Sequence, residues 1–129
     1  VIITAKPIKY NSVNSFEVVE RIELVQGNGG TYYVQLFQGS SRYLPAAGAT
    51  VQLLFPRAKS VAATPANQDT TVSCTAIAQD ASLYSFVLSS AQVDKIVSDG
   101  AKLLITESGV TKTWPVDHLV RRRSNAPGA

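Results

Sequence analysis

The stretch TYYVQLFQG, residues 31–39, decides how the chain is read. Tyr32, Val34 and Leu36 alternate with Tyr33, Gln35 and Phe37, the period of two that sends successive side chains to opposite faces of a strand. Aromatic and β-branched residues of this kind suit a pleated, half-buried surface. GNGG, residues 27–30, comes just before it and supplies turn chemistry, because glycine tolerates positive φ. Further back, SFEVVERIELVQG (15–27) reads as one strand, with Phe16, Val18 and Glu20 on one face and Val19, Arg21 and Glu23 on the other. Its alternation slips around Ile22, Leu24 and Val25, which predicts a bulge or a change of buried face.

Downstream, QGSSRYLPAAGA (38–49) carries Pro45 and Gly48 and reads as a connection. ATVQLLFP (49–56) is a core strand ended by Pro56, and the polar run 57–70 is a long connection with an edge strand near 60–63. TVSCTAIAQ (71–79) and SLYSFVLSS (82–90), separated by Asp80 and Ala81, form a hairpin. A helix follows near 90–98: Ser89 or Ser90 can cap it, Val93, Ile96 and Val97 share a face, and Gly100 suits the position after its end. A last hairpin joins 101–109 to 110–122 around Glu107, Ser108 and Gly109.

These readings give an all-β chain, a single antiparallel β-sandwich of jelly-roll or Ig-like type with one short helix near 90–98. The connections are too short for repeated βαβ units. Three regions follow: an N-terminal arm at 1–15, the sandwich at 16–120 and a basic tail at 121–129. The arm holds a short apolar strand (1–4), then Pro7 and a polar stretch, suited to wrapping the sandwich or pairing with a neighbour's sheet edge.

Composition agrees with one globular unit. The 129 residues are 45% hydrophobic and 16% charged, enough to bury a core without disulfides. Lysine and arginine number 12 against 9 acids, a net +3 that vanishes without Arg121, Arg122 and Arg123. That excess falls well short of a dedicated nucleic-acid binder, and the other basic residues are dispersed along the chain. Nucleic acid is therefore disfavoured as a partner, and arginine forks docking on an acidic protein surface, or a solvated end, are the readings kept. No apolar run approaches the roughly 20 residues of a membrane-spanning helix.

Catalytic chemistry is hard to assemble. His118 is the single histidine and adjoins Asp117, but neighbouring strand residues point to opposite faces. Cys74, alone in an alternating strand, reads as a small packed residue. One histidine and one cysteine do not make a zinc site, GNGG lacks the lysine of a phosphate loop, and Glu17, Glu20 and Glu23 read as a solvated face. No enzyme activity, cofactor or metal is expected. Trp114 and the five tyrosines leave a glycan-binding module as a minor alternative.

The chain also resembles a small virion module of tailed bacteriophages. The resemblance rests on a QG-x-x-G-TY-V-L strand entry at 26–36, an LP-x-x-GATV-L-F strand at 44–55, the SAQVDKI helix (90–96) and the closing GVTKTW hairpin (109–114). It covers roughly residues 22–118. It implies a capsid cement (decoration) protein that binds the major capsid protein or other virion proteins on the capsid exterior, as a homo-oligomer of two or three copies. A baseplate or tail-fibre attachment adaptor is the alternative. On that implication Val1, Ile2, Ile3, Thr4, Arg121, Arg122 and Arg123 are the residues expected to touch the shell.

Overall fold

Period-two patterning governs the molecule from its first strand. A computed structural model, describing residues 2–12, 15–57, 68–78, 80–97 and 100–121, contains β1 (Ile3–Ser12), β2 (Ser15–Val18), β3 (Ile22–Val25), β4 (Gly30–Gln38), β5 (Ser41–Arg42), β6 (Thr50–Phe55), β7 (Thr70–Ile77), β8 (Asp80–Leu88), α1 (Ser90–Lys95), β9 (Lys102–Glu107), β10 (Val110–Pro115) and β11 (His118–Arg121). The main sheet runs β10-β9-β6-β7-β8-β4-β1-β2, with β5 beside β4. Every pairing in it is antiparallel. β7 is its corner: residues 70–74 pair with β6, whereas 75–77 pair with β8 through a shifted register. The sheet curls at this corner into a half-barrel that brings β1 near β10. The fold is all-β and sandwich-like, as the alternation predicts.

The core is what alternation selects. Val34 and Leu36 come from β4, Phe86 and Leu88 from β8, Leu53 and Phe55 from β6, and Leu103 and Ile105 from β9. Each is at most 2% exposed, and full burial of such a side chain stabilises by about 1.5–3 kcal/mol. Phe86 joins the layers, lying 5.7 Å from the Tyr32 ring and 6.2 Å from the Phe55 ring. The GNGG turn fits tightly against this unit: a Cβ on Gly29 would meet the Leu88 carbonyl oxygen at 2.7 Å, so only glycine lets the backbones approach.

Four expectations are corrected. The segment 1–15 is no arm over its described part, since β1 lies between β4 and β2 and places Ile3, Ala5 and Ile8 in buried positions. Pro7 does not interrupt it. The Pro7 carbonyl turns away from β4 to accept from Val19 N at 2.9 Å, so the absent proline N–H falls on the side facing away from β4. The run 15–27 is two strands, parted at residues 19–21 rather than bulged at 22–25.

The run 110–122 also divides. Pro115 ends β10, buried Val116 donates to the Ala101 carbonyl at 3.0 Å, and β11 then pairs in parallel with β3. That ribbon is the one departure from antiparallel pairing among the described strands. Finally, α1 is shorter than expected. Ser89 caps it in a reciprocal box with Gln92, but Ile96 turns extended and bridges Arg57, so Gly100 is not its terminator. Asp94, on this short helix, accepts from Gly27 N at 2.7 Å and ties the helix to the glycine turn. The edge strand expected near 60–63 lies outside the described residues.

Candidate functional site

The sheet forks where β1 and β4 part. They pair from Ile3↔Gln38 to Ile8↔Tyr33, then β1 continues with β2 (Lys9↔Glu17, Tyr10↔Phe16) and β4 with β8 (Tyr32↔Phe86, Thr31↔Val87). Backbone direction alternates along an antiparallel strand. Because the Pro7 carbonyl points to Val19, Ile8 and Tyr33 are the pair that faces each other with hydrogen-bonding groups. Two residues further along each strand, Tyr10 and Thr31 turn their N–H and C=O groups into the fork. Residues 19–23 flank the opening and complete a cleft of about 720 Å³, walled by Ile8, Ile22, Tyr32 and Tyr33 and rimmed by Lys9, Glu20, Arg21 and Glu23. Burial pushes the Tyr32 hydroxyl above its ordinary pKa.

Basic residues distant in sequence gather here. Arg121 donates from Nη2 to Glu23 Oε1 at 3.2 Å. This bond, then the charge of Arg121, holds the Glu23 carboxyl below the usual range, and Arg21 and Lys9 are near enough to lower it further. Neither Lys9 nor Arg21 has an ion-pair partner among the described residues. With Glu23 engaged by Arg121, the rim carries Lys9 and Arg21 against Glu20. The first arginine of the triplet is thus a strand residue in β11, while Arg122 and Arg123 lie outside the described residues.

The N-terminal candidates separate in the same way. Ile2 is 75% exposed, Thr4 is exposed and Ile3 is buried at 2%; Val1 lies outside the described residues. Sequence reading did not single out Lys9, Arg21 or Thr31. The shared face of Arg21 and Glu23 was a usable signal, but nothing local brings Lys9 or Arg121 to them.

A second feature is the outer face of the sheet. Register places Ile8, Tyr33, Leu83, Val87, Val18 and Phe16 on the face opposite the core. Ile8 and Leu83 are only 8% and 4% exposed, although neither belongs to the core cluster. Phe16 meets Tyr33 edge to face at 5.8 Å, and the Lys6 ammonium sits 4.3 Å over the Phe37 ring. Val18 and Val87 remain 57% and 62% exposed. An apolar band thus occupies a face where alternation normally places polar side chains.

The titratable groups elsewhere have structural employment. His118 is 5% exposed, meets the Phe55 ring at 5.3 Å and donates from Nε2 to the Val97 carbonyl, whereas Asp117 is exposed. Burial pushes the Cys74 thiol up to about 12, leaving it protonated and unreactive at neutral pH. Asp80 is raised by burial, but hydrogen bonds from Ser82, the charge of Arg42 and a bond from Gln35 outweigh this and leave it lowered. The Tyr43 hydroxyl donates to Glu107 Oε1 at 2.6 Å and the Ala46 N–H donates to Glu107 Oε2 at 2.8 Å; both bonds lower the carboxyl, and the first lifts the phenol to about 12. No group of three or more metal-ligating side chains converges among the described residues, and no described helix is long and apolar enough to cross a membrane. Trp114 is half-buried against the core. Comparison with known proteins gives no matching family model, no matching curated protein and no matching solved structure.

Proposed function

We propose that the chain is a non-enzymatic virion structural protein, a capsid cement (decoration) protein of a tailed bacteriophage that binds the head shell from outside. Two things support this reading: the resemblance of the strand and hairpin motifs to those of small phage virion modules, and the apolar band on the outer face of the sheet. The band is the observation that carries it. Exposed apolar surface on a sheet face suits protein–protein contact, and repeated copies on a symmetric shell would multiply a modest single-site affinity. A homo-oligomer of two or three copies would place several such bands on neighbouring shell subunits. A baseplate or tail-fibre adaptor would use the same surface. The glycan alternative loses ground because Trp114 packs partly against the core.

The test mixes the purified protein with phage heads and, separately, with tails, and reads co-sedimentation. Binding to heads, lost when Phe16, Val18 and Val87 are each replaced by aspartate in a triple variant that stays folded, supports the cement role. Binding to tails alone moves the protein to the adaptor role. Sedimentation with neither overturns the virion reading.

A further inference from the structure

We propose that the fork between β1 and β4 accepts an extended, acidic peptide segment of a partner protein as an added strand. Beyond Ile8↔Tyr33 the two strands no longer pair, so the Thr31 and Tyr10 N–H and C=O groups face a common gap with no strand between them among the described residues. Unpaired strand edges of this kind are templates for another chain, and main-chain bonds then supply affinity while alternate side chains supply selectivity. The walls define that selectivity. Ile8 and Tyr33, on one face of the fork, offer apolar surface to one set of incoming side chains, and Lys9, which alternation turns to the other face, stands with Arg21 at the rim where carboxylates of the other set would fall. Because Glu23 is already engaged by Arg121, these two cations outnumber Glu20, and their charge favours an acidic occupant. This holds whether or not the partner belongs to a virion.

The probe is a fluorescein-labelled octapeptide of alternating glutamate and valine, titrated into the full chain at low salt and followed by anisotropy. The expected result is saturable binding, with the Thr31 and Tyr10 amides shifted and protected from exchange in NMR spectra. The double variant Lys9→Glu, Arg21→Glu is expected to weaken binding by on the order of tenfold, since charge complementarity is reversed at two rim positions. Both substitutions are at exposed side chains, and an unchanged amide spectrum outside the fork will show that the variant is folded. An N-methylated version of the peptide, which cannot donate from its backbone, is expected to fail. The proposal is overturned by no binding at millimolar peptide, by equal binding of the N-methylated or lysine-for-glutamate peptide, or by unchanged affinity in the double variant. Displacement of the peptide by citrate or DNA, with shifts at the same two amides, would make the cleft a general anion site and also overturn it.

Discussion

The two ends of β4 differ in everything but their strand. At the 34–38 end, β4 is flanked by β1 and, near its tip, by β5. A side-chain clamp locks it there: Gln35 donates to Asp80 at 2.9 Å and to Ser82 at 3.2 Å, and Arg42 lies 3.1 Å from Asp80. At the 30–32 end β8 is the one strand neighbour of β4 among the described strands, and support comes instead from the glycine turn tied to α1 by Gly27 and Asp94. One end is closed by strands and charge, the other is propped by a capped helix and left open on one side. A single strand can thus combine a rigid anchor with an accessible edge, provided that the two demands fall on different residues.

Three substitutions would break or sharpen that contrast. The largest effect is expected at Leu36, fully buried at the closed end. Leu36→Ala should destabilise the whole fold by about 3 kcal/mol, as cavity-forming core truncations do, read as a lower urea midpoint. Asp80→Ala comes next. It removes the shared acceptor of Ser82 and Gln35, leaving Gln35 its longer bond to Ser82, and about 1–3 kcal/mol should be lost at neutral pH.

The same carboxylate gives a pH signature. Its folded pKa lies below its unfolded value, so its contribution is complete above the unfolded value of about 3.9 and disappears as pH falls through the lower folded value. Glu107, also lowered, acts in the same direction. Denaturation midpoints at pH 7 and pH 3 should therefore diverge in the wild type and diverge less in Asp80→Ala. The smallest effect belongs to the open end. Ser89→Ala removes the helix cap and should cost about 1 kcal/mol. Amide exchange at residues 27–32 should quicken more than exchange at 34–38; equal quickening at both ends would erase the distinction.

The strands that carry the core were legible because one local rule generates them. Val34, Leu36, Leu53, Phe55, Phe86 and Leu88 all fall where alternation puts them. The position of β1 was not legible. Pro7 and the polar residues after it resemble a chain leaving the sheet, and only the side toward which the Pro7 carbonyl turns makes them compatible with an internal strand. Nor could the split of 110–122 be read locally, since β11 pairs with a four-residue strand far upstream. The fork shares that difficulty: Lys9, Arg21, Thr31 and Arg121 each look ordinary in their own segment. The basic residues looked dispersed because sequence distance conceals the curl that gathers three of them.

The parallel ribbon has a consequence for the order of folding. Glu23 and Arg121, joined across it, are 98 residues apart, and closing so long a loop carries an entropic penalty that local hairpins escape. The β9–β10 hairpin needs only its own turn, and β7 and β8 are nearly as local, so both can form early. β3 has no such neighbour: its strand partner emerges after every other described element has been synthesised. Until then the backbone edge of β3 that pairs with β11 has no strand beside it. The ribbon is therefore expected to close late, and a chain stopped short of His118 would leave β3 with an unpaired backbone edge open to association.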